Sequence, residues 1–269
     1  FCRSLAQHGL GVRLLEDEAA DLALDLPGLE SVKAMPGATE GCEVAVVFGG
    51  DGTILRAAEL TRDVGTPLLG VNLGRLGFLT EVTPPELFER LDAILAGEGG
   101  VEQRAMMHTE TVNDGQASSA HFDALNDVVV GRAAIGRTVQ FTVRTDHTTV
   151  GSYRADGVII ATATGSTAYS LSVGGPILHP ESREILVTPV APHLAPANSI
   201  VLPEGSTVEV EIARGQKAIA SVDGEPDLQL TGGDVVRVRT SKHTARFLRL
   251  APPGAFFTRV GRRLNWLSE

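Results

Sequence analysis

An aspartate set among glycines, Gly49-Gly50-Asp51-Gly52-Thr53, is the stretch of this 269-residue chain best equipped for chemistry. Glycines let a backbone approach a ligand closely, and a helix beginning in such a loop offers unpaired N–H groups and a partial positive charge to phosphate. A carboxylate among those donors repels phosphate unless it has a task of its own. Two tasks fit: holding a divalent cation, or accepting the proton of a hydroxyl that attacks a phosphoryl group. A Walker A loop is excluded, because Lys33, Lys217 and Lys242 are the only lysines and none adjoins a Gly-rich turn. No Gly-x-Gly-x-x-Gly follows a strand-like run, which argues against a hydride-transferring dinucleotide fold.

Three further stretches carry polar groups in places that invite a ligand. Asn72-Leu73-Gly74-Arg75-Leu76-Gly77-Phe78 is a second glycine-bearing loop, able to border one crevice with the first and to offer Phe78 to a base. Taken alone, its plainer reading is core packing and turns. Asn126-Asp127 interrupts the apolar residues Ala124-Leu125 and Val128-Val129-Val130; an amide beside a carboxylate can hydrogen-bond two adjacent hydroxyls, as on a ribose. Taken alone, a solvated pair in a turn at a strand edge is the better reading. The run from Tyr153 to Ser170 passes through Arg154-Ala155-Asp156-Gly157, a strand, and the hydroxyl-rich turn Thr162-Ala163-Thr164-Gly165-Ser166-Thr167 before Ala168-Tyr169-Ser170. Helix capping accounts for part of that turn, not for so many small polar residues together. None of the seven histidines pairs at the spacing of a helical metal site, and Gly165-Ser166-Thr167 is no Gly-x-Ser-x-Gly elbow, so no transition-metal site and no serine hydrolase is expected.

These residues need elements to hold them. Val44 to Phe48 is too short for a helix and reads as a buried parallel strand, Ile54 to Leu60 as an amphipathic helix, Leu68 to Asn72 as the next strand and Pro84 to Ala96 as another helix. Ser4 to His8 read as a helix end capped by Gly9, with a strand at Val12 to Leu15; an earlier strand is expected to be missing from a truncated start. This βαβ logic predicts an α/β domain over 1–104. Beyond it, period-two runs at Gln140 to Arg144, Thr207 to Ile212, Val235 to Arg239 and Arg246 to Leu250 alternate with turns at Asn113-Asp114-Gly115, Asp223-Gly224 and Gly232-Gly233. They predict an antiparallel β-sandwich over 105–250, sharing a cleft with the first domain, and a tail over 251–269 folding back on that domain. A formal charge of −10 argues against a nucleic-acid surface, and no stretch has the roughly 20 apolar residues of a membrane span. Cys2 and Cys42 are too few for a disulfide framework, which points to the cytosol.

In this order, the Gly49 to Thr53 loop, Asn72 to Phe78, Asn126-Asp127, Asp156-Gly157, Thr162 to Tyr169 and Gly174-Gly175-Pro176 resemble the bacterial NAD kinase family over nearly the whole chain. The resemblance implies a Rossmann-like α/β domain followed by a β-domain, and transfer of the γ-phosphoryl of ATP, or of polyphosphate, to the 2′-hydroxyl of the adenosine ribose of NAD. It also implies a divalent cation, Mg²⁺ above all, and a homodimer or homotetramer. Asp51 would be the base, with Gly52 beside the dinucleotide and Arg56 and Arg137 as cationic contacts. Asn126 and Asp127 would hold ribose hydroxyls, and Phe78 would border the adenine. Thr167, Ala168, Tyr169, Ser170, Leu171 and Ser172 would line the dinucleotide pocket, with Arg154 and Asp156 approaching it from a neighbouring subunit. Two departures stand out: Ala163 where the family commonly has Pro, and Asp127 where it has Glu. The rival readings are a lipid or sugar kinase built on the same glycine loop, and a dinucleotide sensor without catalysis.

Overall fold

The computed structural model of the chain describes residues 1–74, 77–113, 116–134, 136–252 and 254–266, without the side chains of 117–120 and 226–227. Arg75 and Leu76 of the second glycine loop, and Asp114-Gly115 of the Asn113 turn, lie outside the described residues. The chain divides into two compact units, Phe1–Val101 with Leu248–Pro252, and Glu102–Phe247 with Pro253–Glu269.

The first unit opens with α1 (Cys2–Gln7), β1 (Val12–Leu15), α2 (Glu16–Leu22) and β2 (Leu29–Val32), in which β1 and β2 pair in parallel. It continues through β3 (Ala45–Phe48), α3 (Asp51–Thr61), β4 (Leu68–Val71), α4 (Pro84–Glu89) and α5 (Leu91–Leu95). The β3-α3-β4 passage is the expected βαβ unit, its strands parallel from Ala45↔Leu68 to Phe48↔Val71. Helix α3 turns Ile54, Ala58 and Thr61 inward, a spacing of four and three that keeps them on one face. The expectation of a buried strand at Val44 to Phe48 fails for β3, where only Val47 is buried, whereas every residue of β4 is buried. Strand β3 ends its sheet and so lacks a neighbour on one side. Thr83 caps α4 by exchanging bonds with Glu86, and Pro84 occupies the first turn, where its missing N–H costs nothing. The single helix expected over Pro84 to Ala96 breaks at Arg90, whose backbone leaves the helical region at φ −103° and ψ 5° and whose guanidinium donates to the Leu250 carbonyl.

Leu250 belongs to the returning segment Leu248–Pro252, which joins the core of this unit beside Leu69, Val71, Val82 and Leu87. A buried ion pair fastens it: Arg249 lies 3.0 Å from Glu81, and both side chains are under a tenth exposed. The other Glu81 oxygen accepts the backbone N–H groups of Leu250 and Ala251 at 2.9 and 2.8 Å.

Among the described residues the second unit is built from twelve strands, β5 to β16, whose pairings are antiparallel. The chain runs through β5 (Gly100–Asn113), β6 (Gln116–Ala124), β7 (Asp127–Arg132), β8 (Val139–Thr145), β9 (Thr148–Ala155) and β10 (Gly157–Ala161). After a 3₁₀ turn at Gly165–Thr167 and the short α6 (Tyr169–Ser172) come β11 (Ile185–Val190), β12 (Ile200–Leu202), β13 (Val208–Ile212), β14 (Lys217–Val222), β15 (Glu225–Thr231), β16 (Val235–Arg249) and α7 (Ala255–Arg263). One sheet has the order β12-β11-β10-β7-β14-β15, and β16, β13, β8 and β9 follow one another in the other. Alternate residues of both meet in one core, with Val128, Val130, Val158, Ile160 and Ala220 from the first facing Phe141, Val143, Val210, Val236 and Val238 from the second. That is the predicted sandwich. The outer face of the first sheet is apolar too: Ile159, Ala161, Leu186 and Val190 pack against Val173 and Leu178 of the segment after β10. The two runs expected at Val235 to Arg239 and Arg246 to Leu250 fall largely within one continuous strand, along which the buried positions change phase, from Val236 and Val238 to Ser241, Ala245, Phe247 and Arg249.

Of the tail from Ala251, the first residues group with the first unit, while α7 groups with the second, where Phe256 and Phe257 set their rings 5.7 and 5.9 Å from that of His179. No helix among the described residues is long and apolar enough to cross a membrane.

Replacing Glu81 by Ala would leave the Arg249 guanidinium buried without its carboxylate and two amides without an acceptor. The expected loss is about 3–5 kcal/mol, read as a lower urea midpoint at unchanged slope; a shift within error would show that the Glu81 bonds do not hold the returning segment.

Candidate functional site

Gly50, in extended conformation, precedes α3, so Asp51 is the first helical residue. Its side chain leans across to the second glycine loop. Oδ2 accepts the N–H of Phe78 and Oδ1 that of Leu79, each at 3.0 Å. The two loops singled out in the sequence thus meet through this carboxylate. A Cβ at Gly77 would collide with Asp51 Oδ1, so only glycine lets the loop close on the acid. The Leu79 carbonyl in turn accepts from Arg249 at 3.1 Å, which ties the loop to the buried ion pair. A carboxylate has about four lone-pair positions, and the two amides occupy two of them. Asp51 is therefore oriented by backbone yet keeps acceptor capacity toward a hydroxyl. Phe78 is half-buried, Gly52 exposed, and Arg56 exposed without a hydrogen-bond or ionic partner among the described residues.

In the second unit the start of β7 lies beside the end of β10, with Asp127 opposite Ala161. The hydroxyl-rich turn consequently lands on Asn126. Thr162 N–H donates to the Asn126 carbonyl at 2.9 Å, and Thr162 Oγ1 donates to Leu125 O at 2.5 Å while accepting Gly165 N–H at 3.1 Å. A Cβ at Gly165 would strike the Asn126 carbonyl. Ser166 donates to Ala163 O and accepts Leu178 N–H; Ser170 begins a buried hydroxyl chain through Thr188 to Ser199 at 3.2 and 2.9 Å. Most of the hydroxyls that the sequence offered to a ligand are thus spent on folding the turn. Thr167, Ala168 and Leu171 are half-buried, and Tyr169 and Ser172 remain exposed.

Asp127 is only 6% exposed, which overturns the solvated-pair reading for this residue. Strand β7 is interior, between β10 and β14, so its first side chain is enclosed. The carboxyl has no hydrogen-bond partner among the described residues, and burial, assisted by the charge of Asp223, pushes its pKa up to about 7. Asn126 is half-buried. Asp156 pairs with Arg132 at 3.2 Å, Arg154 is exposed and donates to Thr138 at 3.0 Å, and Arg137 is exposed with no partner among the described residues.

Sequence reasoning missed Asp223, read only as a turn former. Its carboxylate accepts the N–H groups of Leu125, Asn126 and Asp127. The available signal was an acid opening a hairpin turn. It also missed that His108 and His243, distant in sequence, share the carboxylate of Asp123 through their Nδ1 atoms at 3.2 and 2.7 Å. Among the described residues no three His, Cys, Asp or Glu side chains are placed to hold a metal ion. Mg²⁺ commonly keeps water and substrate phosphates as ligands and needs no protein cage, so a nucleotide-borne cation is compatible with this site.

The raised Asp127 carboxyl has a consequence for stability. Between about pH 4 and pH 7 it stays protonated in the folded protein while it ionises in the unfolded chain, so its contribution to stability falls as pH rises through that window. Asp127→Asn is accordingly expected to raise the melting temperature at pH 8, with the gain shrinking toward pH 4. A gain independent of pH would show that the carboxyl is not held protonated.

Two family models match the chain: the ATP-NAD kinase N-terminal domain over residues 17–99 and the ATP-NAD kinase C-terminal domain over residues 125–250. A protein named NAD kinase from Koribacter versatilis is 38% identical, covering 97% of this chain and 90% of its own. Another NAD kinase, from Dehalococcoides mccartyi strain CBDB1, is 37% identical over 86% of this chain and 81% of its own. The crystal structure of yeast NADH kinase complexed with NADH shares the fold, with a TM-score of 0.88 at 24% identity over 99% of this chain and 83% of that one. On the two matched domains and the relatives that match along most of their length, the chain belongs to the NAD kinase family.

Proposed function

We propose that this protein transfers the γ-phosphoryl group of ATP to the 2′-hydroxyl of the adenosine ribose of NAD, giving NADP, with Asp51 as the group that takes the hydroxyl proton. The observation that carries the assignment of Asp51 is its carboxylate held by the Phe78 and Leu79 amides at a helix N-terminus. A hydroxyl proton needs a fixed acceptor, and phosphate needs N–H donors; this loop has both. Asn126 and Asp127 hold the ribose hydroxyls, Phe78 borders the adenine, Gly52 lies along the dinucleotide, and residues 167–172 line its pocket. Arg56 and Arg137 are exposed cations without partners among the described residues, which suits them to phosphate.

Phosphoryl transfer asks little covalent chemistry of a protein, and positioning with charge neutralisation supplies most of the acceleration. A divalent cation bound through the nucleotide phosphates would lower the repulsion between those phosphates and Asp51. The same reading includes a cytosolic protein, consistent with free Cys2 and Cys42, and a homodimer or homotetramer in which the exposed Arg154 and half-buried Asp156 are offered to a neighbouring copy.

General-base catalysis typically contributes about 10²–10⁴-fold. Asp51→Asn is therefore expected to lower NADP formation from ATP, Mg²⁺ and NAD by at least that lower figure, while NAD affinity by calorimetry stays near that of the parent. Undiminished turnover would remove Asp51 as base. Tight NAD binding by the parent with no NADP formed, from ATP or from polyphosphate, would favour the sensor; ATP consumption with diacylglycerol or a hexose phosphate instead of NAD would favour the other kinases.

A further inference from the structure

We propose that Asp223 is a positioning residue for the acceptor ribose: by gathering the successive N–H groups of Leu125, Asn126 and Asp127 on one carboxylate, it sets the direction in which Asn126 and Asp127 present their side chains. This rests on the ribose-binding role given to that pair above. The three bonds measure 2.7, 2.7 and 3.1 Å, and the N–H of Asp223 returns to the Asp127 carbonyl at 2.9 Å.

The topology explains why a side chain is needed there. Strands β7 and β14 pair as far as Val128 and Val222. Beyond that point β14 turns into β15 through Asp223 and Gly224, both with left-handed backbone at φ of 50° and 84°. The turn carries the β14 carbonyls away from the residues that precede β7. Leu125, Asn126 and Asp127 would then be left with buried or half-buried N–H groups and no ladder partner, a costly arrangement. The Asp223 carboxylate stands in for the missing strand. One oxygen takes Leu125, the other takes both Asn126 and Asp127, so both oxygens must be acceptors. Asparagine cannot reproduce this, since its NH₂ would face an N–H. The same carboxylate places a negative charge beside Asp127, which together with burial leaves that group able to donate a proton as well as accept one at neutral pH.

The test is steady-state kinetics of Asp223→Asn, Asn126→Ala and the double variant. Asp223→Asn is expected to raise the KM for NAD at least about tenfold with the KM for ATP within about twofold, and in the Asn126→Ala background the same change should add less than about threefold. Such non-additivity marks residues acting through one another. A merely structural role would lower kcat through the folded fraction, leave both KM values alone, and be additive; that result, or an unchanged KM for NAD, overturns the proposal. If Asp223→Asn does not fold, hydrogen exchange in the parent decides: protected amides at Leu125, Asn126 and Asp127 support the clamp, and exchange at unprotected rates overturns it. A parent that makes no NADP would overturn the kinase reading and this role with it, whereas an active parent with an unaffected variant overturns this role alone.

Discussion

Backbone N–H groups that leave a sheet and stay out of water must find acceptors, and in this protein single carboxylates repeatedly supply them. Asp51 takes the amides of residues 78 and 79, Glu81 those of 250 and 251, and Asp223 those of 125, 126 and 127. Hydrogen bonds to a charged acceptor are stronger than neutral ones, and two or three amides sharing one carboxylate hold a loop in a single shape. The loops that bear the candidate chemistry are therefore ordered by acids belonging to other stretches of chain.

The arrangement suits Asp51 to the base role proposed for it. A base must be fixed in direction and must keep lone pairs for its proton, and a carboxylate that accepts one amide on each oxygen is oriented while keeping acceptor capacity. The glycines around it have distinct duties. Gly77 leaves room for the acid itself, whereas Gly165 in the second unit leaves room for the Asn126 carbonyl, so a glycine in one unit fits a side chain and in the other fits backbone.

Much of the architecture was legible in the residues. The β3-α3-β4 unit, the helix start at Pro84 and the alternation of the sandwich strands follow from short-range rules of periodicity, which the sequence displays directly. The errors lie where neighbours decide. Whether Phe48 is buried depends on β3 being an edge; whether Asp127 is wet depends on what flanks β7. Hydroxyls misled most. Thr162, Ser166 and Ser170 look available in sequence, and packing turns each of them toward the protein's own groups.

The sequence by itself determined the kinds of chemistry open to this chain: an acid among glycines, no phosphate-binding lysine, an amide-carboxylate pair, and the alternations that make an α/β unit and a sandwich. Only the tertiary structure decided which acid serves which loop. Asp51 and Phe78 are 27 residues apart and Asp223 and Asn126 are 97 apart, and no local pattern specifies that those partners meet. Side-chain acceptors are recruited by unpaired amides in space, and that demand becomes visible only once the strands have ended.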